Sequence, residues 1–364
     1  MRYKSAILTI FDYCNYGNRL QNYALHTLLS RYGACASIVM PIGIKDSKDL
    51  AIEILKQKIR AVYGKLFDND RALMFRRFSK GLSITNQRIP NGGFFITESN
   101  GFINLKNNSY DFLVIGSDQV WNYQWLTARE LELRLGSFAS SEHPIISYAA
   151  SFGISKIDDS VTPSFKKFLP MMKDISVRED KASEMVKGMT GLDATVVLDP
   201  TLMLDANEWL NITENFVSTN DKYVLTYFLG SPTEKQEEEI QRYAQSHGCR
   251  IRRVLDLRDK ETYVAGVQDF VELFSKAQYV FTDSYHACCF SILFHKQFTV
   301  FNRAGMNGKS NMNSRMETLF RLFDLDSVMI DSGLAPEIDY EKVDHLLEEN
   351  RKESQNWLDK AMEG

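Results

Sequence analysis

Short apolar runs alternate with helix-period segments along most of this chain, and that alternation restricts the fold more than any other feature. The runs that read as strands are Ala6–Phe11, Ser37–Met40, Phe112–Ile115, Ile145–Tyr148, Ile175–Val177, Thr195–Leu198, Tyr223–Phe228 and Tyr279–Thr282. Helical patterns cover Asn18–Tyr32, Glu234–Ser246, Val267–Lys276, His286–Phe294 and Tyr340–Ala361. In the first of these Leu20, Ala24 and Leu28 repeat at i, i+4 and i+8, and Gly33 is the expected stop. Such alternation predicts an α/β fold with parallel sheets covered by helices.

At 364 residues the chain exceeds the ~250–300 at which single cores stop growing, so two lobes are expected. The clearest boundary lies at "LDPTLMLDANEW", where Asp199-Pro200 ends a strand and an Asn/Asp-rich stretch follows. This divides the chain into an N-terminal lobe over 1–200, a C-terminal lobe over 201–335 and a final helix over 336–364. A Lys/Arg-rich helical insertion at about 49–87 reads first as a solvated helical pair and second as an anionic contact surface.

Bulk charge is −4, which gives no global attraction to nucleic acid or anionic lipid, so any anion site must be local. No apolar run reaches the ~18 residues of a membrane helix. The run before Asp12 is also shorter than the roughly 7–15 residues of a signal-peptide core. The five cysteines (Cys14, Cys35, Cys249, Cys288, Cys289) lack C-x-x-C spacing, which suits a reduced, cytoplasmic protein without structural zinc. No H-x-x-x-H, EF-hand, P-loop or G-x-G-x-x-G pattern occurs, and no ligand cluster for a metal is expected.

Ligands of parallel sheets sit beyond the carboxyl ends of the strands, and polar motifs cluster at those ends here. "FDYCNYGNRLQNYAL" follows the first strand, "FLVIGSDQVWN" another, "DISVREDKA" a third and "YVFTDSYHACCFSILF" a fourth. In the last, Ser284 is placed as an N-cap and His286 falls in the first helical turn, where free N–H groups and the helix dipole suit an anion. The dipole disfavours imidazolium and a bound phosphate favours it, so His286 would be protonated only with ligand present. Ser284 reads equally as a plain cap and Asp118 as a turn residue. Arg178 reads equally as half of a surface ion pair with Glu179 or Asp180. Asp199 before Pro200 reads as a turn residue and Trp121 as core. A fifth segment, "FNRAGMNGKSNMNSRMETLFRLF", carries Arg303, Lys309 and Arg315 and reads either as a loop able to close over an anion or as a flexible solvated one.

Taken in order, "NYGNRLQNYAL", "DFLVIGSDQVWN", "SYAASFG", "SVRED", "VLDPTLML", "TDSYHA" and "NSRMETL" resemble the polysaccharide pyruvyl transferase family over about residues 5 to 325. The resemblance implies two Rossmann-like lobes similar to GT-B glycosyltransferases, with a C-terminal helix crossing back to the first. It also implies transfer of pyruvate from phosphoenolpyruvate, as co-substrate and without a tightly bound cofactor, to two hydroxyls of a cell-surface glycan or its lipid-linked precursor. On that reading the donor sits on the C-terminal lobe, held by Ser284, His286, Arg303 and Arg315 of that lobe and by Arg178 reaching across from the first. The N-terminal lobe takes the acceptor through Asn15, Asn18, Gln21, Asp118 and Gln119. His286 is the candidate proton donor or phosphate partner, and Asp118 orients or deprotonates the sugar hydroxyl. Gly17 would allow close approach in the NYGN turn. The expected setting is cytoplasmic, at the inner face of the membrane where the acceptor is lipid-linked. Two other readings stand beside this one: a nucleotide-sugar glycosyltransferase of the same fold, and a non-catalytic glycan-binding protein.

Overall fold

The computed structural model describes residues 3–10, 15–39, 91–97, 101–103, 110–139, 143–218, 221–302 and 313–363, with four positions between 52 and 59. The helical character expected at about 49–87 therefore falls almost wholly outside the described residues, as do Arg303 and Lys309.

Two separate sheets form. The first contains β1 (Tyr3–Leu8), β2 (Gly33–Val39), β3 (Asn91–Thr97), β4 (Gly101–Ile103), β5 (Phe112–Asp118), β6 (Ile145–Ala150), β7 (Asp174–Val177) and β8 (Thr195–Val196). Their order is β4-β3-β2-β1-β5-β6-β7-β8, parallel throughout except for β3 against β4. The second contains β9 (Tyr223–Tyr227), β10 (Arg250–Val254), β11 (Tyr279–Thr282), β12 (Phe298–Phe301) and β13 (Met329–Ile330), all parallel in the order β10-β9-β11-β12-β13. In each sheet the chain starts inside, works to one edge and returns to continue on the other side. That is the Rossmann-like doubly wound pattern, with the reversal between β1 and β5 in one lobe and between β9 and β11 in the other. Strands β5 and β6 are buried along their whole length, as expected when helices cover both faces.

The helices that matter for the site are α1 (Tyr16–Leu29), α2 (Asp180–Thr190), α3 (Pro200–Met203), α4 (Glu234–Ser246), α5 (Val267–Lys276), α6 (Tyr285–Leu293), α7 (Asn313–Phe323) and α8 (Tyr340–Met362). Helix α1 starts two residues earlier than its apolar spacing predicts, because the Asn15 side chain accepts from the Asn18 N–H at 3.0 Å and caps the first turn. Gly33 does not end this helix. It opens β2 at φ +154°, where a Cβ would lie 2.0 Å from the Tyr3 carbonyl oxygen. Strand β5 runs through Gly116 to Asp118, so Asp118 is the last residue of a strand rather than a turn cap.

Strand β10, "RIRRV", has no apolar signature. Arg252 is buried on Asp221 and Glu261, and Arg253 on Glu237, so ion pairs replace the apolar contacts that periodicity detects.

One continuous core joins the lobes, running from Leu20 and Leu28 of α1 to Phe270 and Phe290 of α5 and α6. Tyr16 is the main link: its ring stacks on Phe270 at 4.8 Å and its hydroxyl donates to the Ala265 carbonyl at 2.7 Å. Helix α8 crosses back to the first lobe. Ser354 Oγ accepts from the Leu198 N–H at 2.9 Å, Arg351 donates to the Leu202 and Leu204 carbonyls, and Trp357 meets Tyr148 at 6.2 Å. Among the described residues no helix is long and apolar enough to cross a membrane.

Candidate active site

The strand ends of the first lobe are locked together by side-chain amides and hydroxyls. Gln21 Nε2 donates to Thr9 Oγ1 and to the Asn18 carbonyl, both at 3.0 Å, while Gln21 Oε1 accepts from Ser117 Oγ at 2.6 Å. Thr9 Oγ1 in turn donates to the Ser117 carbonyl at 3.2 Å. This network spans the β1/β5 switch point and fixes α1 against the end of β5. Gln21 is fully buried with both ends of its amide engaged, so the expectation that it contacts an acceptor does not fit: it positions the loops instead. Gln119 is half-buried, with Oε1 accepting from Asn122 Nδ2 at 3.0 Å and the side chain lying on Gly153. Asn15 is half-buried and spends its side-chain oxygen on the α1 cap.

Beyond this scaffold, charged groups from both lobes meet. Arg178, just past β7, is fully buried. Its Nη1 lies 2.7 Å from Asp199 Oδ2 and its Nη2 3.1 Å from Asp118 Oδ1. Its guanidinium sits 4.4 Å from the Tyr285 ring centre, a cation–π contact from the second lobe. The surface pairing with Glu179 or Asp180 is thus replaced by buried pairing with two other carboxylates. Asp199 is more than a turn residue. Its Oδ1 caps α3 through Thr201, and its Oδ2 lies between Arg178 and His286, whose Nε2 is 3.8 Å away. One carboxylate oxygen therefore faces both the strand-end arginine and the helix histidine. Asp118 holds φ +66°, a conformation Asp tolerates better than most residues, and its Oδ2 faces Asn18 Nδ2 at 3.5 Å.

The histidine is clamped from the first lobe. A Cβ on Gly17 would stand 2.1 Å from His286 Nδ1, so the imidazole lies directly on the first turn of α1. Gly17 has ordinary helical backbone, and the glycine is needed for this contact between lobes. The amino ends of α1 and α6 thus converge on one imidazole. Its Nε2 is buried without a hydrogen-bond partner. Arg315, in the first turn of α7, is 6% exposed, and its buried Nε likewise has none. Ser284 takes the N-cap position of α6, but its side chain makes no cap bond; Thr282 Oγ1 accepts its N–H at 3.0 Å.

The electrostatics follow from this packing. Burial opposes ionisation of Asp118, but Arg178, then His286 and Arg315, outweigh it and hold the carboxyl at about 2. Such a group stays anionic and is a poor proton acceptor, which favours orienting a hydroxyl over deprotonating one. Burial pushes the His286 pKa down, with Asp199 and Asp118 opposing, so the free imidazole is biased toward the neutral form. Burial, then the neighbouring Arg178, lowers Arg315 to about 10, leaving it charged at neutral pH. Burial raises Glu179, whose Oε1 accepts from Ser151 Oγ at 2.8 Å and the Phe152 N–H at 3.1 Å. That explains the pairing of "SYAASFG" with "SVRED": one motif supplies the turn and the other the carboxylate that holds it.

Asn18, Asp118, Arg178, His286 and Arg315 thus come together, and Asp199, Glu179 and Tyr285 join them. Sequence reasoning read Asp199 as a turn residue and Glu179 as a surface ion-pair partner and gave none of the three a place in the site, although each lies inside a quoted motif.

The sequence profile of the polysaccharide pyruvyl transferase family matches residues 15–305, which include every residue named in the acid–base cluster except Arg315. The chain belongs to the polysaccharide pyruvyl transferase family. No curated protein matches it. Among solved structures this pyruvyl transferase family member is similar to a UDP-GlcNAc 2-epimerase from Neisseria meningitidis bound to UDP-GlcNAc, at 10% identity and TM-score 0.46, covering 99% of each chain. It is also similar to a putative UDP-N-acetylglucosamine 2-epimerase from Listeria monocytogenes, at 12% identity and TM-score 0.46, covering 98% of this chain and 91% of that one. A third is an alpha-glucosyltransferase in complex with UDP and a 13-mer DNA, at 10% identity and TM-score 0.41, covering 98% and 95%.

Proposed function

We propose that this protein transfers pyruvate from phosphoenolpyruvate to two hydroxyls of a sugar, forming a ketal during synthesis of a cell-surface glycan. The observation that carries this reading is the set of buried nitrogens without a hydrogen-bond partner, His286 Nε2, Arg315 Nε and Arg178 Nε, where the two lobes meet. A buried guanidinium without a hydrogen-bonded anion is costly, and an incoming carboxylate or phosphate relieves that cost.

In this mechanism Arg315 and the amino end of α6 hold the donor; Arg178, whose Nη atoms are already engaged, adds its charge and its buried, unpartnered Nε. The arriving anion raises the His286 pKa, and the imidazolium then delivers a proton to C3 of the enol. A sugar hydroxyl oriented by Asp118 and Asn18 bonds to C2, and the C2–O bond to phosphate breaks. The second hydroxyl closes the ketal on C2. Of the two hydroxyl protons, one replaces the proton given to C3 and the other leaves with phosphate or solvent. A lipid-linked acceptor would bring the protein to the inner face of a membrane.

The test is phosphate release from phosphoenolpyruvate with a panel of sugar acceptors. Release only in the presence of an acceptor, cut about 10²-fold or more by His286→Ala, is expected. Release of a nucleoside diphosphate from a sugar nucleotide would establish the glycosyltransferase reading instead. Full retention of biological function in a folded His286→Ala protein would establish the non-catalytic one.

A further inference from the structure

The second lobe contains a cavity of about 960 Å³ that none of the chemistry above uses. Its floor is formed by the carboxyl ends of β9 and β10, at Thr226, Phe228, Val254 and Leu255, where ligands of parallel sheets sit. Its size falls within the ~300–1,000 Å³ of ligand pockets.

The lining selects against phosphate. Arg258 reaches the cavity but is held by Asp256 at 2.5 Å and Glu237 at 3.1 Å, and Glu237 also pairs with Arg253. The amino end of α4 is closed by its own capping box between Thr233 and Gln236, and it carries Glu234 and Glu237 in its first turn. Exposed Glu234 and Glu238 add negative charge, and neither forms an ion pair among the described residues. A pyrophosphate entering here would meet carboxylates on one side and, among the described residues, no free guanidinium on the other. The same wall offers apolar surface at Phe228, Tyr263 and Leu257, the last 59% exposed. Carboxylate and hydroxyl acceptors around flat apolar faces are what a sugar ring needs for its hydroxyls and its C–H face.

One backbone link runs from the cavity toward the catalytic centre. Thr226 pairs in register with Phe281, and the Asp283 carboxylate accepts from the Leu229 and Gly230 N–H groups at 2.7 and 2.8 Å. Asp283 therefore ties the cavity wall to the turn that begins the His286 helix.

We propose that this cavity is a saccharide subsite: it holds a phosphate-free sugar unit of the acceptor next to the unit that receives pyruvate. This rests on the pyruvyl transfer reading for the second unit's identity as acceptor, and on the cavity alone for its preference for sugar over nucleotide.

The experiment is saturation-transfer NMR on the full chain with three disaccharides (galactobiose, chitobiose and mannobiose) and with UDP, all without phosphoenolpyruvate. At least one disaccharide should receive saturation, and Leu257→Glu, a change at an exposed position, should cut that signal at least fivefold. UDP should give no signal until Glu234→Lys/Glu238→Lys reverses the charge of the wall. Calorimetry with phosphoenolpyruvate should give unchanged affinity in both variants. A strong UDP signal in the unmodified protein overturns the subsite, as does a disaccharide signal indifferent to Leu257→Glu, or none for any disaccharide. If disaccharides bind as expected while phosphoenolpyruvate is neither bound nor consumed, the donor assignment fails and the sugar site stands.

Discussion

Replacing Gly17 with alanine tests whether the two lobes assemble one site. The new Cβ would fall 2.1 Å from His286 Nδ1, 2.5 Å from Cγ and 2.8 Å from Cε1. Ordinary contact begins at about 3.4 Å, so the imidazole must retreat by roughly 1.3 Å, or the lobes must part by a similar amount. A displacement of about 1 Å at a reacting group can cost on the order of 10²-fold in rate. Stability moves less. Overpacking costs about 1–3 kcal/mol, and the helical preference of alanine over glycine returns up to ~1 kcal/mol. The expected result is a folded protein, destabilised by about 0–3 kcal/mol in urea, with phosphoenolpyruvate-dependent turnover reduced about 10²-fold. Gly188→Ala is the matched control: it lies in α2 with nothing within 4 Å of its added Cβ, so it should gain up to ~1 kcal/mol and leave turnover unchanged. A folded Gly17→Ala enzyme working within threefold of the parent would refute the reasoning, because the position of His286 would then not matter.

Four further outcomes are expected. Phosphoenolpyruvate binding near pH 7.5 should take up close to one proton at His286, read by calorimetry in buffers of different ionisation enthalpy; no uptake would remove the imidazole from the donor site. The same histidine has a folded pKa below its ordinary 6.5, so the unfolded chain binds more protons under acid, and the melting temperature of the free protein should fall as pH drops below about 6.5, less so in His286→Gln. Asp199→Asn leaves the buried Arg178 with one carboxylate and should cost about 3–5 kcal/mol in chemical denaturation, whereas a loss under 1 kcal/mol would mean Asp118 alone suffices. Arg315→Met should hold or raise stability while weakening phosphoenolpyruvate roughly 10–100-fold, the worth of a charged hydrogen bond of about 1.5–3 kcal/mol; unchanged affinity would place the donor elsewhere.

The order of strands and helices was legible because apolar periodicity is a local property. Helices α4 and α5 have the bounds their spacing predicts, and β11 matches residue for residue. Strand β10 was invisible for the converse reason: three arginines in five residues fit a strand only once Asp221, Glu237 and Glu261 are brought to them by the fold. Gln21 shows how polarity alone misleads. A glutamine in a strand-to-helix turn has the composition of a ligand contact, yet its amide is consumed by Thr9, Asn18 and Ser117, the last nearly a hundred residues away in the chain.

The sequence by itself determined that this protein has parallel α/β lobes, the family to which it belongs, and the strand ends where its polar residues collect. Those depend on short local patterns and on their order along the chain, which it carries whether folded or not. Tertiary structure alone decided which carboxylates neutralise Arg178, why position 17 has no side chain, and that His286 and Arg315 are left unsatisfied. Each of these is a relation between residues brought together from distant segments, and burial gives it its strength: in a medium of low polarisability a charge answers to its few nearest neighbours, and only the fold chooses them.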